Sequence, residues 1–453
     1  MNVPLPLAQW LNADRCDDTL VAWSGEYACH LGQLRADVAM LCGQLQTQQG
    51  TRWALCFEDS YLFLVALLAT LHAGKTPVIP GHCRLSLLNE QRALFDGVLS
   101  EQRLNWEGTC LRVRHIPQSS ESHMALPAIA PDAAVELFTS GSTGQPKRIV
   151  KSIAVLDKES ALLAARFATS LRGCRVVATV VPLHLYGLTF RIFLPMALGL
   201  PFHADTIVYA EQLSALDAQH RYLFISSPAF LKRLDVHLTP PSVAMVLSAG
   251  GMLPWRDAQH SHHWLDIWPD EIYGSTETGI LAWRQRTQDD IPWLAFPGVE
   301  IVSQEDACHV FSPLIAHAQG LPLDDEIRFT PDGHFHLVGR RGRVIKIEEK
   351  RVSLQDVERR LLALDGIRDA AALPITRGGR QSMGALLVLD DALRQQWKNR
   401  HDKTLERAWR QALRPWLEPV AIPRYWRVID EIPVNSMNKR VDAQLQEFFN
   451  DAS

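Results

Sequence analysis

Apolar residues along this chain alternate between two spacings, and the alternation predicts a layered α/β fold. Over Leu31–Leu45 they recur at helical intervals, and Trp53–Cys56 is a short strand-like run. Tyr61–Ala73 is almost continuously apolar and stops at Gly74, as a buried helix with a glycine just past its end would. Thr76–Pro80 then reads as a buried strand. The order continues with an apolar run at Ala133–Phe138, a helical stretch at Ala161–Ser170, and buried strands at Arg175–Val181, Leu223–Ser227 and Ala244–Ser248. Later, Ser353-Leu354-Gln355-Asp356 starts a helix with a capping serine, and Leu354, Val357, Leu361 and Leu364 share its apolar face. The last hundred residues predict a small α+β module. Its strands are Ala385–Leu389 and Tyr425–Ile429, around a helix at Lys403–Trp416 with Leu405, Trp409, Leu413 and Trp416 on the apolar side.

Composition narrows the class. At 453 residues the chain has room for two or more domains with substantial cores. A formal net charge of −4 argues against a general nucleic-acid binder. The eight cysteines include no C-x-x-C pair, which favours neither a zinc site nor a disulfide framework and fits a reducing cytoplasm. The N-terminal MNVPLPLAQW has no basic segment followed by an apolar core, so secretion is not expected. The longest apolar run, Leu62–Ala73, is too short to span a bilayer.

The candidate chemistry lies in the loops after these strands. Phe138–Val150 reads FTSGSTGQPKRIV, and its apolar start breaks into Thr139-Ser140-Gly141-Ser142-Thr143-Gly144, two glycines among four hydroxyl residues. Small residues let main-chain N–H groups approach an anion, hydroxyls donate hydrogen bonds to phosphate oxygens, and Lys147 adds a positive charge. A solvated surface loop has much the same composition. A Walker P-loop needs Gly before its Lys and Ser or Thr after it, and Pro146 and Arg148 occupy those places. Arg175–Val181 empties into Pro182-Leu183-His184-Leu185-Tyr186-Gly187-Leu188, and Ala244–Ser248 into Ala249-Gly250-Gly251. A strand at Ile272 runs into Tyr273-Gly274-Ser275-Thr276-Glu277. Ligands collect at the carboxyl ends of strands in such sheets, so these loops are expected to converge.

Taken in order, the loops resemble the motifs of the AMP-forming, acyl-adenylating enzymes: acyl- and aryl-CoA ligases, peptide-synthetase adenylation domains and luciferases. The resemblance runs over about residues 25–445. It implies a large N-terminal domain, residues 1–341, of layered α/β subdomains that binds ATP and a carboxylic acid, and a small mobile α+β domain, residues 342–453. The resemblance assigns Thr139, Ser140, Gly141, Ser142, Thr143, Gly144 and Lys147 to the phosphates, and Gly250, Gly251, Tyr273 and Gly274 to the rest of the nucleotide. Tyr273 would stack on adenine, Thr276 would bond the α-phosphate, and Glu277 with Thr139 would ligate Mg²⁺. His184, Tyr186, Ala249 and Gly279 would face the acid. Asp325, seven positions before the Asp332-Gly333 turn, and Arg340 of the pair Gly339-Arg340 would bind the ribose. Ile432–Lys439 is similar to the family's C-terminal P-x-T-x-x-G-K loop, with Asn435 and Asn438 in place of Thr and Gly, and makes Lys439 the catalytic lysine. Gly342 stands where the family hinge carries Asp or Lys, and Glu349 where it keeps a glycine beside the path of a pantetheine arm.

The implied reaction joins a carboxylic acid to AMP with release of pyrophosphate, then passes the acyl group to a thiol of CoA or of a carrier-protein phosphopantetheine. From Lys398 to Arg427 there are eight Lys/Arg against three Asp/Glu, and Lys403, Arg407, Arg410 and Arg414 fall on one helical stripe. The stripe is either a solvated helix face or a dock for an acidic acyl carrier protein or the phosphates of CoA. His184, Tyr186, Phe190, Trp283 and the Ser227-Pro228 corner would wall a compact apolar pocket suited to an aryl or short-to-medium acyl acid. Two other readings remain: a ligase-like protein that binds without turnover, and an adenylase that stops at acyl-AMP or uses an amine acceptor.

Overall fold

In the computed structural model the run after Asp59 forms the helix Ser60–His72, buried from Ser60 to Leu71 and capped by the Asp59 carboxylate, which accepts from the Leu62 N–H at 2.9 Å. A helix apolar on every side must sit inside a layered core. The structure describes all residues except 1–2, 13, 116–124, 141–145, 305–306, 341–343, 348–349, 378–379, 400–402, 435–439, 441 and 451–453. The fold is mixed α/β and divides into two units: Met1–Glu300 with Phe311–Gly320, and Ile301–Val310 with Leu321–Ser453.

Two sheets organise the first unit. One runs Thr109–Arg112, Gly97–Ser100, Arg52–Cys56, Thr76–Ile79, Ala134–Ser140 and Pro146–Ser152. Its strands are parallel except the last pair, where Pro146–Ser152 returns antiparallel to Ala134–Ser140. The run expected at Ala133–Phe138 therefore extends to Ser140 and becomes one arm of a hairpin, whose tip lies outside the described residues. The returning strand was not expected, because PKRIVKS sets its basic and apolar residues side by side, without the alternation that marks a buried face. Both of its faces are nonetheless used: Arg148 pairs with the buried Glu136, which also binds Arg52.

The second sheet has the order Leu294–Ala295, Gly279–Gln285, Asp270–Ser275, Val243–Ser248, Tyr222–Ser226, Arg175–Ala178, Phe202–His203, Leu20–Ser24, Tyr27–His30. From Asp270–Ser275 to Leu20–Ser24 neighbouring strands are parallel, so their carboxyl ends share one edge. The helix Ile153–Leu171 starts about two turns before the expected Ala161, with the Ser152 hydroxyl accepting from the Val155 N–H at 3.3 Å. Leu188–Phe193 winds as a π-helix that buries Arg191 completely. The Arg191 guanidinium donates to the carbonyls of Val180 (2.7 Å) and Ala204 (2.8 Å) and to the Thr206 hydroxyl (2.7 Å), and burial pulls its pKa down to about 10.

In the second unit, Asp325–Phe329 and Phe335–Arg340 form a hairpin around the expected Asp332-Gly333 turn, where Gly333 has a φ of +82°. Helix Leu354–Leu362 begins at Ser353, whose hydroxyl accepts from the Asp356 N–H at 3.2 Å, as the capping signal predicts. A three-stranded sheet, Ile367–Arg377, Arg380–Leu389 and Tyr425–Val428, packs with Val357, Leu361, Trp409, Leu413 and Trp426 in one core. One expectation is corrected here. The helix Lys403–Leu413 stops before Arg414-Pro415, because the residue preceding a proline is disfavoured in α-helical geometry. Trp416 therefore leaves the apolar face and is 61% exposed, with the Arg360 guanidinium 4.5 Å above its ring. Lys403, Arg407, Arg410 and Arg414 are all exposed. Among the described residues no helix is long and apolar enough to cross a membrane.

Candidate active site

The shared carboxyl edge gathers the loops that follow Ala178, Ser226, Ser248 and Ser275. Thr179 and Ser226 hydroxyls lie 3.2 Å apart there. His184 sits in extended backbone at the start of the short helix Leu185–Gly187, with its carbonyl accepting from the Leu188 N–H at 2.8 Å. Glycine is required at 187, since a Cβ there would lie 1.9 Å from the Val181 carbonyl oxygen. Tyr186 packs its ring against Phe190 at 5.1 Å and spends its hydroxyl on the carbonyls of Ser226 (3.0 Å) and Leu247 (3.1 Å). Burial raises the Tyr186 pKa, so the phenol stays protonated and ties two strand ends together.

Gly81 was not singled out by the sequence. It follows strand Thr76–Ile79 with a φ of +83°, and a Cβ on it would lie 3.4 Å from both the His184 imidazole and the Phe138 carbonyl oxygen. The positive φ favours glycine there, and the end of one sheet lies against the histidine of the other. Ala249 is half-buried, and Gly250 and Gly251 are exposed on the same edge, Gly250 with a φ of +88°.

The turn carrying Thr276 and Glu277 is tightly built. The Ser275 N–H donates to the Thr278 hydroxyl at 3.0 Å, and the Thr278 N–H donates to the Ser275 hydroxyl at 3.2 Å. Gly274 passes so close to the returning strand that a Cβ would meet the Gly279 carbonyl oxygen at 2.2 Å. The Glu277 carboxylate is 2.9 Å from the Lys147 ammonium, which comes from the strand leaving the Ser/Thr/Gly hairpin. This one ion pair joins the phosphate-type hairpin to the Tyr273–Glu277 segment. Although burial works to raise the Glu277 pKa, the Lys147 bond and a main-chain N–H hold it below the ordinary carboxylate value. Thr139 stands directly opposite Lys147 in the hairpin ladder. A carboxylate held ionised is the kind of hard oxygen donor that suits Mg²⁺, which takes one or two protein oxygens and completes its shell with phosphates and water.

Two further residues escaped the sequence reading, for an isolated Lys in a strand and an isolated Glu in a helix carry no pattern. Lys151 and Glu159 are both buried beneath the turn. Burial pushes the Lys151 pKa down and the Glu159 pKa up, and their attraction for each other opposes both shifts.

Tyr273 is half-buried, its ring 5.7 Å from that of Trp293. Trp293 lies under the Arg284 guanidinium at 4.3 Å, and Arg284 is held at 2.7 Å by the buried Glu271. Trp283, expected in the pocket wall, is instead packed against the Ile153–Leu171 helix, with Arg166 3.7 Å over its ring and Phe167 at its edge. The reason is strand alternation, which sends side chains of successive residues to opposite faces. In the second unit Asp325 and Arg340 are direct partners across their hairpin. Gly141, Ser142, Thr143, Gly144, Gly342, Glu349, Asn435, Asn438 and Lys439 lie outside the described residues.

Comparison with known proteins finds likeness in sequence and in fold. The AMP-binding enzyme family model matches residues 88–305. A 4-coumarate–CoA ligase of Cereibacter sphaeroides is 30% identical over 278 residues, 58% of this chain and 61% of that protein. The match thus spans less than two thirds of the relative's length. ATP-bound MatB from Rhodopseudomonas palustris superposes with a TM-score of 0.80 at 18% identity, covering 100% of this chain and 99% of that one. An o-succinylbenzoate CoA synthetase from Bacillus subtilis, in complex with its acyl-adenylate, gives 0.81 at 17% identity over 98% of each chain. At such identities the two structures speak to the fold alone.

Proposed function

We propose that this chain is a member of the AMP-forming acyl-adenylating enzyme superfamily and an acid–thiol ligase driven by ATP. In the first half-reaction a carboxylate oxygen attacks the α-phosphorus of ATP, forming acyl-AMP and expelling pyrophosphate. In the second, a thiol of CoA or of a carrier-protein phosphopantetheine attacks the acyl carbon, forming a thioester and releasing AMP. The observation that carries the reading is the Lys147–Glu277 pair, which brings the phosphate-type hairpin and the Thr276–Glu277 turn to one carboxyl edge. Two anions must be held in contact while charge spreads over phosphate oxygens, so the protein's task is positioning and electrostatic stabilisation.

Lys147, the hairpin Thr139–Gly144 and Thr276 are assigned to the phosphates, and Tyr273 with Gly250 and Gly251 to adenine. Asp325 and Arg340 are assigned to the ribose, and Lys439 to the charge that develops during adenylation. Mg²⁺ on Glu277 and Thr139 would neutralise phosphate oxygens. His184 and Tyr186, with the Phe190 ring packed on Tyr186, support an aryl or short-to-medium acid. The 4-coumarate–CoA ligase among the relatives acts on an aromatic acid by name. The division at residues 341 and 342 and the turning of the smaller domain at Gly342 belong to the same proposal, as does cytoplasmic location.

The test is ATP–pyrophosphate exchange across a panel of carboxylic acids, repeated with CoA and with holo carrier protein. Exchange with one acid class and thioester formation with a thiol is the expected outcome; nucleotide binding without exchange would refute it. The exposed stripe Lys403, Arg407, Arg410 and Arg414 favours an acidic carrier protein as the acceptor. Changing Arg407 and Arg410 to Glu should then raise the KM for carrier protein about tenfold or more, with adenylation unchanged. Transfer with an unaltered carrier KM would exclude that dock.

A further inference from the structure

Lys151 and Glu159 are two charged residues of the first unit, 5% and 2% exposed, in a region where an unpaired charge is costly. Neither is an expected contact of nucleotide or acid. Lys151 lies four residues past Lys147 on the same strand, so both ammonium groups leave from one face. Its Nζ donates to the Glu277 carbonyl oxygen at 2.8 Å. Glu159, on the Ile153–Leu171 helix, accepts the Ile280 N–H on Oε1 at 2.8 Å and the Thr189 hydroxyl on Oε2 at 2.7 Å. Gly279 has a φ of +72°, and a Cβ on it would lie 2.8 Å from that same Oε1, so the carboxylate is in van der Waals contact with the turn. Main chain on both sides of Thr278 is thus gripped from beneath, by an ammonium at Glu277 and a carboxylate at Ile280.

We propose that Lys151 and Glu159 are a buried positioning pair that fixes the Glu277–Ile280 main chain and thereby aims the Glu277 carboxylate and Thr276 hydroxyl. Lys147 holds the Glu277 side chain from outside the turn, while Lys151 holds its backbone from inside; the two lysines have separate jobs. Thr189 extends the pair to the π-helix that follows His184, so the acid-facing loop and the turn are anchored on one carboxylate. The inference rests on the proposed role of Glu277, and the experiment separates the two.

The test uses Lys151→Met, which keeps length and volume but removes the donor, Glu159→Gln, which keeps an acceptor for Ile280 but removes the charge, and the double variant. Three quantities are measured: pyrophosphate exchange, Mg²⁺ affinity by calorimetry with a non-hydrolysable ATP analogue present, and Tm. Each single variant should weaken Mg²⁺ binding and lower exchange kcat by about tenfold, with the KM for the acid within about twofold. The double variant should be no worse than about the worse single one, since both act on one turn. Unchanged Mg²⁺ affinity in folded single variants would overturn the pairing. So would losses that multiply in the double variant, or a fall in Tm with kcat and Mg²⁺ affinity intact. If the wild-type protein shows no exchange with any acid, the functional reading fails, while the calorimetric comparison still judges the pair.

Discussion

Glu277→Gln should reduce ATP–pyrophosphate exchange by about 10²–10³-fold, the range seen when one group stabilising developing charge is removed. The substitution is isosteric and leaves the Glu277 main chain on Lys151, so the turn should persist and Tm should stay close to that of the wild type. What disappears is the anionic oxygen held 2.9 Å from Lys147. A neutral amide there neither competes for a hard cation nor restrains the ammonium. Half-saturation by Mg²⁺ should rise along with the loss of rate, whereas the KM for the acid should change little. Exchange within about threefold of wild type would remove Glu277 from the phosphate chemistry.

Lys439→Ala should also lower exchange by about a hundredfold or more, yet leave reaction of supplied acyl-adenylate with the thiol largely intact. The distinction follows from chemistry. Adenylation builds negative charge on phosphate oxygens, where an ammonium group is worth most, while thiol attack occurs at a carbonyl whose leaving group is already AMP. Single-turnover measurement of each half separates them. Equal loss in both halves would contradict the assignment of Lys439 to adenylation.

Buried parallel strands were the most legible part of the chain. The runs at Leu223 and Ala244 became Tyr222–Ser226 and Val243–Ser248 because continuous apolar residues with short loops leave little choice of structure. The tight turns after the strands were legible for a similar reason: glycines at 187, 274 and 279 stand where any side chain would strike backbone or a buried carboxylate. Less visible were elements defined by their partners. Strand Pro146–Ser152 has a weak pattern of its own and exists because it pairs with Ala134–Ser140. Strand Ile367–Arg377 likewise went unmarked, although it serves two cores, with Ala370 and Ala372 on one face and Ala371 on the other. Trp283 and Trp416 show the limit of hydrophobicity as a guide to place: one was claimed by a helix carrying Phe167 and Arg166, the other was turned outward just after Pro415. Lys151 and Glu159 could not be read at all, since their meaning lies in a turn more than a hundred residues away.

The hairpin that presents Lys147 also sets a rule for its own evolution. Lys147 and Lys151 point toward Glu277, while Arg148 between them reaches Glu136 on the far side. Shifting the ladder by a single residue would exchange these destinations: the guanidinium would swing to the Glu277 side and both ammonium groups would leave it. Which side of the hairpin carries the ammonium groups is thus a matter of parity, written into the pleat of the strand.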